Sequence, residues 1–389
     1  MEFGKIFGKK PATWVKRPKY TTSVEQINEI GEAERQSLRV VEDTFQFRTN
    51  DYYTSLIDWE DPDDPIRQIS IPSIRELEMN MDWSLDASCE EDYTRGGGIQ
   101  HKYSNTVLLL VNNVCGTYCR FCFRKRLFMN DNDEVARNIS EGLAYIAENS
   151  KITNVLLTGG DPLILSTPKL EEIIRRLREI KHVKIIRIGS KMPAFNPFRI
   201  LNDPSLPEML SKYSLATKKI YLMAHFNHPK ELTEHSIEAM TVLQRHGVIT
   251  TNQTPILRGI NDSPNTLYEL FEKLSYMGVP PYYVFQCRPT QGNEMFSLPL
   301  EEAYGIFEKA QSMASGLGKR ARFVMSHQTG KIEVIGLTEE QIFMRYHRSP
   351  DNANRDGIMV FNRNSQAYWL DDYEEAEKII SSRYMMNPA

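Results

Sequence analysis

The chain is poor in several things, and each absence excludes something. It has no run of about 18 or more apolar residues, so no membrane-spanning helix is expected. Its net charge is only −4, from 47 basic and 51 acidic residues, with a pI near 6.1. No global positive field therefore invites nucleic acid, and the short basic run Arg124-Lys125-Arg126 does not change that. The opening Met-Glu-Phe-Gly-Lys has no apolar signal core, so a cytoplasmic location is expected. Only five cysteines occur in 389 residues, which suits a reducing compartment better than a disulfide framework. With 41% hydrophobic and 25% charged residues, the composition is that of an ordinary globular protein.

What is present is concentrated. Three of the five cysteines fall in Cys115-Gly-Thr-Tyr-Cys119-Arg-Phe-Cys122. Three thiolates within eight residues can hold three irons of a [4Fe–4S] cube and leave the fourth iron open. An open iron serves a small molecule that binds the metal and accepts an electron from it. Spacing alone also permits zinc, with His225, His228, His327 or Cys287 as a fourth ligand, although no second ligand pair is present. On that alternative the chain is a zinc-stabilised, non-catalytic binding protein.

Three regions are expected: a helical N-terminal segment (1–98), a central α/β unit (99–318) and a C-terminal part (319–389). Residues 1–22 read as a basic arm. Spaced apolar positions predict helix over 24–47, and again within 66–81 after Pro72, beyond the turn-rich Trp59–Pro65. Beyond Gly96-Gly97-Gly98, short β-rich runs recur at 107–111, 154–157, 183–188, 220–224, 248–252 and 282–286. Amphipathic stretches lie between them, such as Leu170–Ile180, His235–His246 and Thr266–Met277. This rhythm predicts parallel strands with right-handed crossovers, covered on both faces. A TIM-like partial barrel competes with a doubly wound sheet. The barrel is preferred because polar residues follow nearly every strand, as a barrel mouth requires.

Those polar clusters are Gly159-Gly160-Asp161-Pro162, Arg187 to Lys191, His225-Phe-Asn227-His228, Asn252-Gln253 and Arg258 to Asp262. With the cysteine motif they resemble radical S-adenosylmethionine (SAM) enzymes. From about Tyr53 to Lys331 the chain resembles the lysine 2,3-aminomutase family. The likeness runs in order through Asp61-Pro-Asp-Asp-Pro65, Cys119-Arg-Phe-Cys122-Phe-Arg124, Leu156-Leu-Thr-Gly-Gly-Asp161, Ile186-Arg-Ile-Gly-Ser190, His225-Phe-Asn-His-Pro229, Leu257-Arg-Gly259 and Gln286-Cys287.

The resemblance implies a partial (β/α)6 barrel and 2,3-migration of an amino group on an α-amino acid. It implies a [4Fe–4S] cluster on Cys115, Cys119 and Cys122, with SAM held near Gly159, Gly160 and Asp161. Ser190, His225 and Gln253 join these as candidate cofactor contacts. It further implies pyridoxal 5′-phosphate (PLP) bonded to Lys331, with Lys102 and Tyr103 beside it, and Arg124 on the substrate α-carboxylate. A flavodoxin- or ferredoxin-type electron donor and a homo-oligomer are also expected.

Three departures from the family matter. The glycine run before the lysine is shortened to Thr329-Gly330. One of two basic phosphate contacts is kept at Lys102, and the other is replaced by Thr106. Unless something replaces it, that loss costs about 1.5–3 kcal/mol, which keeps open a relative that has lost PLP and runs another radical reaction. Where lysine-acting members carry an aspartate for the substrate ammonium, this chain has Arg288. A second such aspartate is absent, with Ser326 and His327 nearby. Arginine repels an ammonium and pairs bidentately with a carboxylate, so a glutamate-like substrate is expected in place of lysine.

Overall fold

A computed structural model of the chain describes residues 17–129, 132–136, 138–350, 357–374 and 380–381. Its backbone is one large sheet whose strands neighbour each other in chain order. The strands are β1 (Ile99–Tyr103), β2 (Thr106–Asn112), β3 (Asn154–Gly159), β4 (Ile185–Ser190), β5 (Ile220–Ala224), β6 (Ile249–Pro255), β7 (Pro281–Phe285), β8 (Arg322–His327), β9 (Gly330–Leu337), β10 (Gln341–Arg348), β11 (Gly357–Asn362) and β12 (Ile380–Ser381). From β2 to β8 every pairing is parallel, and the flanking strands pair antiparallel. Consecutive neighbours without an order reversal mark a barrel wall and not a doubly wound sheet. The end strands β1 and β12 do not pair, so the barrel is partial.

The six expected strands all form. A seventh parallel strand, β8, joins them by pairing with β7. The sheet therefore continues unbroken past residue 318.

Helices sit on the crossovers: α3 (Ile139–Glu148), α4 (Thr167–Glu179), α5 (Ser205–Tyr213), α6 (Glu234–Arg245), α7 (Pro264–Tyr276) and α8 (Leu300–Met313). In α4, Leu170, Ile173, Ile174 and Leu177 recur at helical spacing and are buried, with Pro168 in the first turn and Arg176 and Arg178 in the last. Strand alternation then divides the sheet. Val155, Leu157, Ile186 and Ile188 face the helices and form the main core with Leu170, Ile174 and Leu177. Their neighbours Leu156, Thr158, Arg187 and Gly189 face an inner cavity.

The N-terminal segment is less helical than its pattern predicts. α1 (Glu32–Thr44) forms, but within 66–81 the helix lies before Pro72, as α2 (Pro65–Ser70), and only a single turn, Ile74–Leu77, follows it. Pro72 ends α2, because a residue before proline is pushed out of the α region, and Ile71 is extended. This segment packs as a separate cluster, including Leu38, Tyr53, Ile66 and Ile69, against Phe195, Leu257 and Phe296. The sequence pattern also predicts a helix over Glu374–Ile380, which falls mostly outside the described residues, and its last residue lies in β12. Most of the expected arm, residues 1–16, also lies outside them.

Candidate active site

The cysteine loop leaves the end of β2 and is held by the N-terminal segment. Tyr118 N donates to Arg48 O (2.9 Å) and Arg120 N to Ile69 O (2.9 Å), while Arg48 Nε donates to Cys115 O (3.0 Å). Between the second and third cysteines, Arg120 is 2% exposed and forks onto Glu76, with Nε–Oε1 and Nη2–Oε2 both 2.9 Å. Lys125 adds a second cation on Glu76 Oε2 at 3.5 Å and donates to Gly292 O at 2.9 Å. Glu76 thus anchors the later half of the loop, and Arg48 holds its Cys115 end.

Cys115, Cys119 and Cys122 line one cavity of about 360 Å³. Burial pushes all three thiols up, so thiolates there require a cationic partner. Among the described residues no three His, Cys, Asp or Glu side chains converge on a point where a single metal ion would sit. An iron–sulfur cube takes one thiolate per iron and suits three half-buried thiols that share a cavity.

At the end of β3, Gly159 has φ +111°, and Gly160 presses on the base of the cysteine loop. A Cβ on Gly160 would lie 2.4 Å from Val114 O and from Asn112 Oδ1. Gly160 N donates to Asn112 O (2.7 Å) and Asp161 N to Val114 O (2.9 Å). The Asp161 carboxylate is fully engaged: Oδ1 accepts from Leu163 N (2.9 Å), and Oδ2 from Ser190 Oγ (3.0 Å), Lys191 N (2.8 Å) and Met192 N (3.1 Å). Burial pushes this carboxyl up to about 6 against the pull of those donors. Its side chain therefore ties the end of β3 to the end of β4. Gly159, Gly160, Ser190, His225 and Gln253 all line the cavity. Burial, and then Lys191, hold His225 well below its ordinary value, so its imidazole is neutral.

Lys331 enters the same cavity from β9, with Nζ 4.2 Å from the Tyr283 ring centre and 4.6 Å from that of Phe285. Burial, then Arg288, Arg187, Arg348 and Lys102, push its amine well below the usual lysine value. A neutral amine among aromatic rings and cations fits covalent attachment of PLP, whose phosphate those cations would balance. Lys102 is pushed down to about 8 by burial first, and its Nζ donates to His327 O. Tyr103 and Thr106 line the cavity as well. His327 turns to Asp371 (Nε2–Oδ2 2.9 Å) and Thr329, and leaves Ser326 on the cavity wall.

Arg124 and Arg288 share a carboxylate that the sequence reading missed. Glu90 accepts from Arg124 Nε and Nη2, both at 2.9 Å, and from Arg126 Nη2 at 2.8 Å. Arg124 also donates to Thr158 Oγ1 (3.1 Å) and Gln100 Oε1 (3.2 Å), so four of its five N–H groups are engaged and one on Nη1 is left for a ligand. Arg288 stacks on Phe123 at 3.6 Å, with Nη1 3.6 Å from Glu90 Oε1. That is ion-pair range but too long for a hydrogen bond, and Nη1 has no hydrogen-bond partner. Although burial raises the Glu90 carboxyl, the arginines outweigh it and hold the group far below the carboxylate range. Glu90 had no local signal, because its role exists only once the 88–93 segment crosses the cavity. Arg187 did have one: a lone charge inside an apolar strand.

Three cysteines after the first parallel strand of a partial barrel, opening on a cavity at the strands' C-terminal ends, define a radical SAM enzyme. The Radical SAM superfamily model matches residues 109–271. The chain is 58% identical over 362 residues to "Putative L-lysine 2,3-aminomutase" of Aquifex aeolicus (strain VF5), covering 92% of this chain and 96% of that one. It is 39% identical to the L-lysine 2,3-aminomutase of Fusobacterium nucleatum (94% and 86% covered). With the glutamate 2,3-aminomutase of Clostridioides difficile (strain 630) the identity is 35% (76% and 68% covered). The chain belongs to the lysine 2,3-aminomutase family of radical SAM enzymes. Such enzymes use a [4Fe–4S] cluster and SAM, act on small molecules and take electrons from a reductant. No helix of the described residues is long and apolar enough to cross a membrane.

Proposed function

We propose that this chain is a PLP-dependent 2,3-aminomutase for an α-amino acid with an anionic side chain, glutamate being the fitting example. The observation that carries this reading is that the three cysteines, Lys331 and Arg288 line one cavity. SAM at the cluster supplies a hydrogen-abstracting radical, and PLP supplies the covalent carrier for a nitrogen moving from C2 to C3. The chain's own part is positioning and the exclusion of water. Lys331 offers a neutral amine, and Tyr283 and Phe285 shield it. Arg124 takes the substrate α-carboxylate, and Arg288 takes the side-chain carboxylate.

An ammonium has nowhere to go in this cavity. Its lining carboxylates are Glu90 and Asp161. Glu90 already meets three arginines, and Asp161 already accepts from four donors. The relatives named for lysine share more overall identity with the chain than the one named for glutamate. Substrate charge, however, is selected by the few groups that meet the side chain.

The test is an anaerobic turnover panel of glutamate, aspartate and lysine with reconstituted enzyme, SAM and reductant, followed by chromatography of the β-amino acids. Conversion of an acidic amino acid with lysine unchanged is expected. Efficient lysine conversion with both acids inert overturns the proposal.

A further inference from the structure

We propose that Arg348, at the end of β10, grips the phosphate of PLP in place of the cation missing at Thr106; the inference rests on the PLP reading above. Thr106 opens β2, and its buried side chain faces the cavity. Arg348 reaches that spot from 242 residues away in sequence. Its Nη2 donates to Thr106 Oγ1 at 3.0 Å and to Asn105 Oδ1 at 2.8 Å, and its guanidinium lies 4.3 Å over the Tyr103 ring. The planar charge thus stands beside the β-carbon from which a longer basic side chain would have projected.

The hairpin of β9 and β10 sets this placement. Arg348 is the cross-strand partner of Lys331, so one register delivers the amine and the guanidinium to the same wall. Gly330 permits the approach, because a Cβ there would lie 2.5 Å from Arg348 O. Arg187 and Lys102 complete the group. Among the described residues none of the cations Lys102, Arg187 and Arg348, which surround the neutral Lys331, belongs to a salt bridge. Cations brought together without a carboxylate require an anion, and a phosphate monoester brings about −1.5 to −2. A guanidinium fork binds its oxygens bidentately, which the retained lysine cannot do.

The experiment measures PLP affinity, not turnover. Anaerobically reconstituted enzyme is titrated with PLP, and separately with pyridoxal, which lacks the phosphate, by equilibrium dialysis and by absorbance of the lysine-bound chromophore. Iron content and melting temperature serve as folding controls. Arg348→Ala is expected to weaken PLP by roughly ten- to a hundredfold, the range for a charged hydrogen bond, and to leave pyridoxal affinity unchanged. Thr106→Arg added to Arg348→Ala is expected to recover most of the loss. If Arg348→Ala loses iron, Arg348→Met keeps the apolar stem and carries the same expectation. Wild-type PLP affinity in the folded variant, or equal weakening of PLP and pyridoxal, overturns this inference and leaves the PLP reading standing. Wild-type enzyme that takes up no PLP at Lys331 overturns both.

Discussion

Lys331 lies where burial and four cations all favour a neutral amine, and its behaviour with pH follows from that. Lowering an amine's pKa extends its neutral form to lower pH. Covalent uptake of PLP is therefore expected to lack the rise toward pH 10 that an ordinary lysine near 10.4 would impose, any change near pH 8 belonging to Lys102 at the phosphate. Spectral titration of the bound chromophore checks it, and uptake that rises steadily toward pH 10 contradicts it. Arg288 has the opposite task, because it keeps its charge and its Nη1 lacks a hydrogen-bond partner. Arg288→Gln should lower kcat/KM for glutamate by roughly ten- to a hundredfold, the range for one charged hydrogen bond. Steady-state kinetics reads this directly. These two residues could be named from the sequence because both sit in segments that match the family. Glu90 and Arg348 could not, since their roles depend on contacts spanning 34 and 242 residues.

Each element around the cavity has one residue that fixes its place. For the cysteine loop it is Glu76, which faces Arg120 and Lys125 in the interior. Glu76→Ala leaves two buried cations unpaired and should cost about 3–5 kcal/mol. Its melting temperature should drop, and reconstituted iron per chain should fall with it; an unchanged melting temperature contradicts the clamp. For the outer hairpin it is Gly330. Gly330→Ala should force β10 away from β9 and weaken PLP while leaving the iron content intact, which parallel iron and PLP assays distinguish. The parallel strands and their helices were legible because their apolar periods are strong and the intervals regular. β8 was not, because its short Arg-Phe-Val-Met-Ser-His run looks like strand only when β7 lies beside it. The helix expected after Pro72 shrinks to the single turn Ile74–Leu77, and α2 forms ahead of that proline, which ends it at Ile71.

The whole molecule is three parts closing on one space. The N-terminal segment clamps the cysteine loop, the barrel wall supplies the ends of its strands, and the β9–β10 hairpin brings the lysine across. Residues 88–93 tie the first part to the last, with Ser88 Oγ donating to Ser326 O (2.9 Å) and Tyr93 OH to Gln328 O (2.8 Å). The sequence named both poles of this cavity, the cysteines and Lys331, but spacing could not show that they share it. Their meeting depends on strand register and on the crossing segment, both set by tertiary packing. The account's central claim is that cluster and PLP serve the same cavity of one chain. The most direct measurement is the absorption spectrum and composition of anaerobically reconstituted enzyme, with borohydride trapping and peptide mapping of the bound PLP. About four irons per chain with matching sulfide and one PLP attached at Lys331 are expected. Iron at that level with no PLP on Lys331 contradicts it.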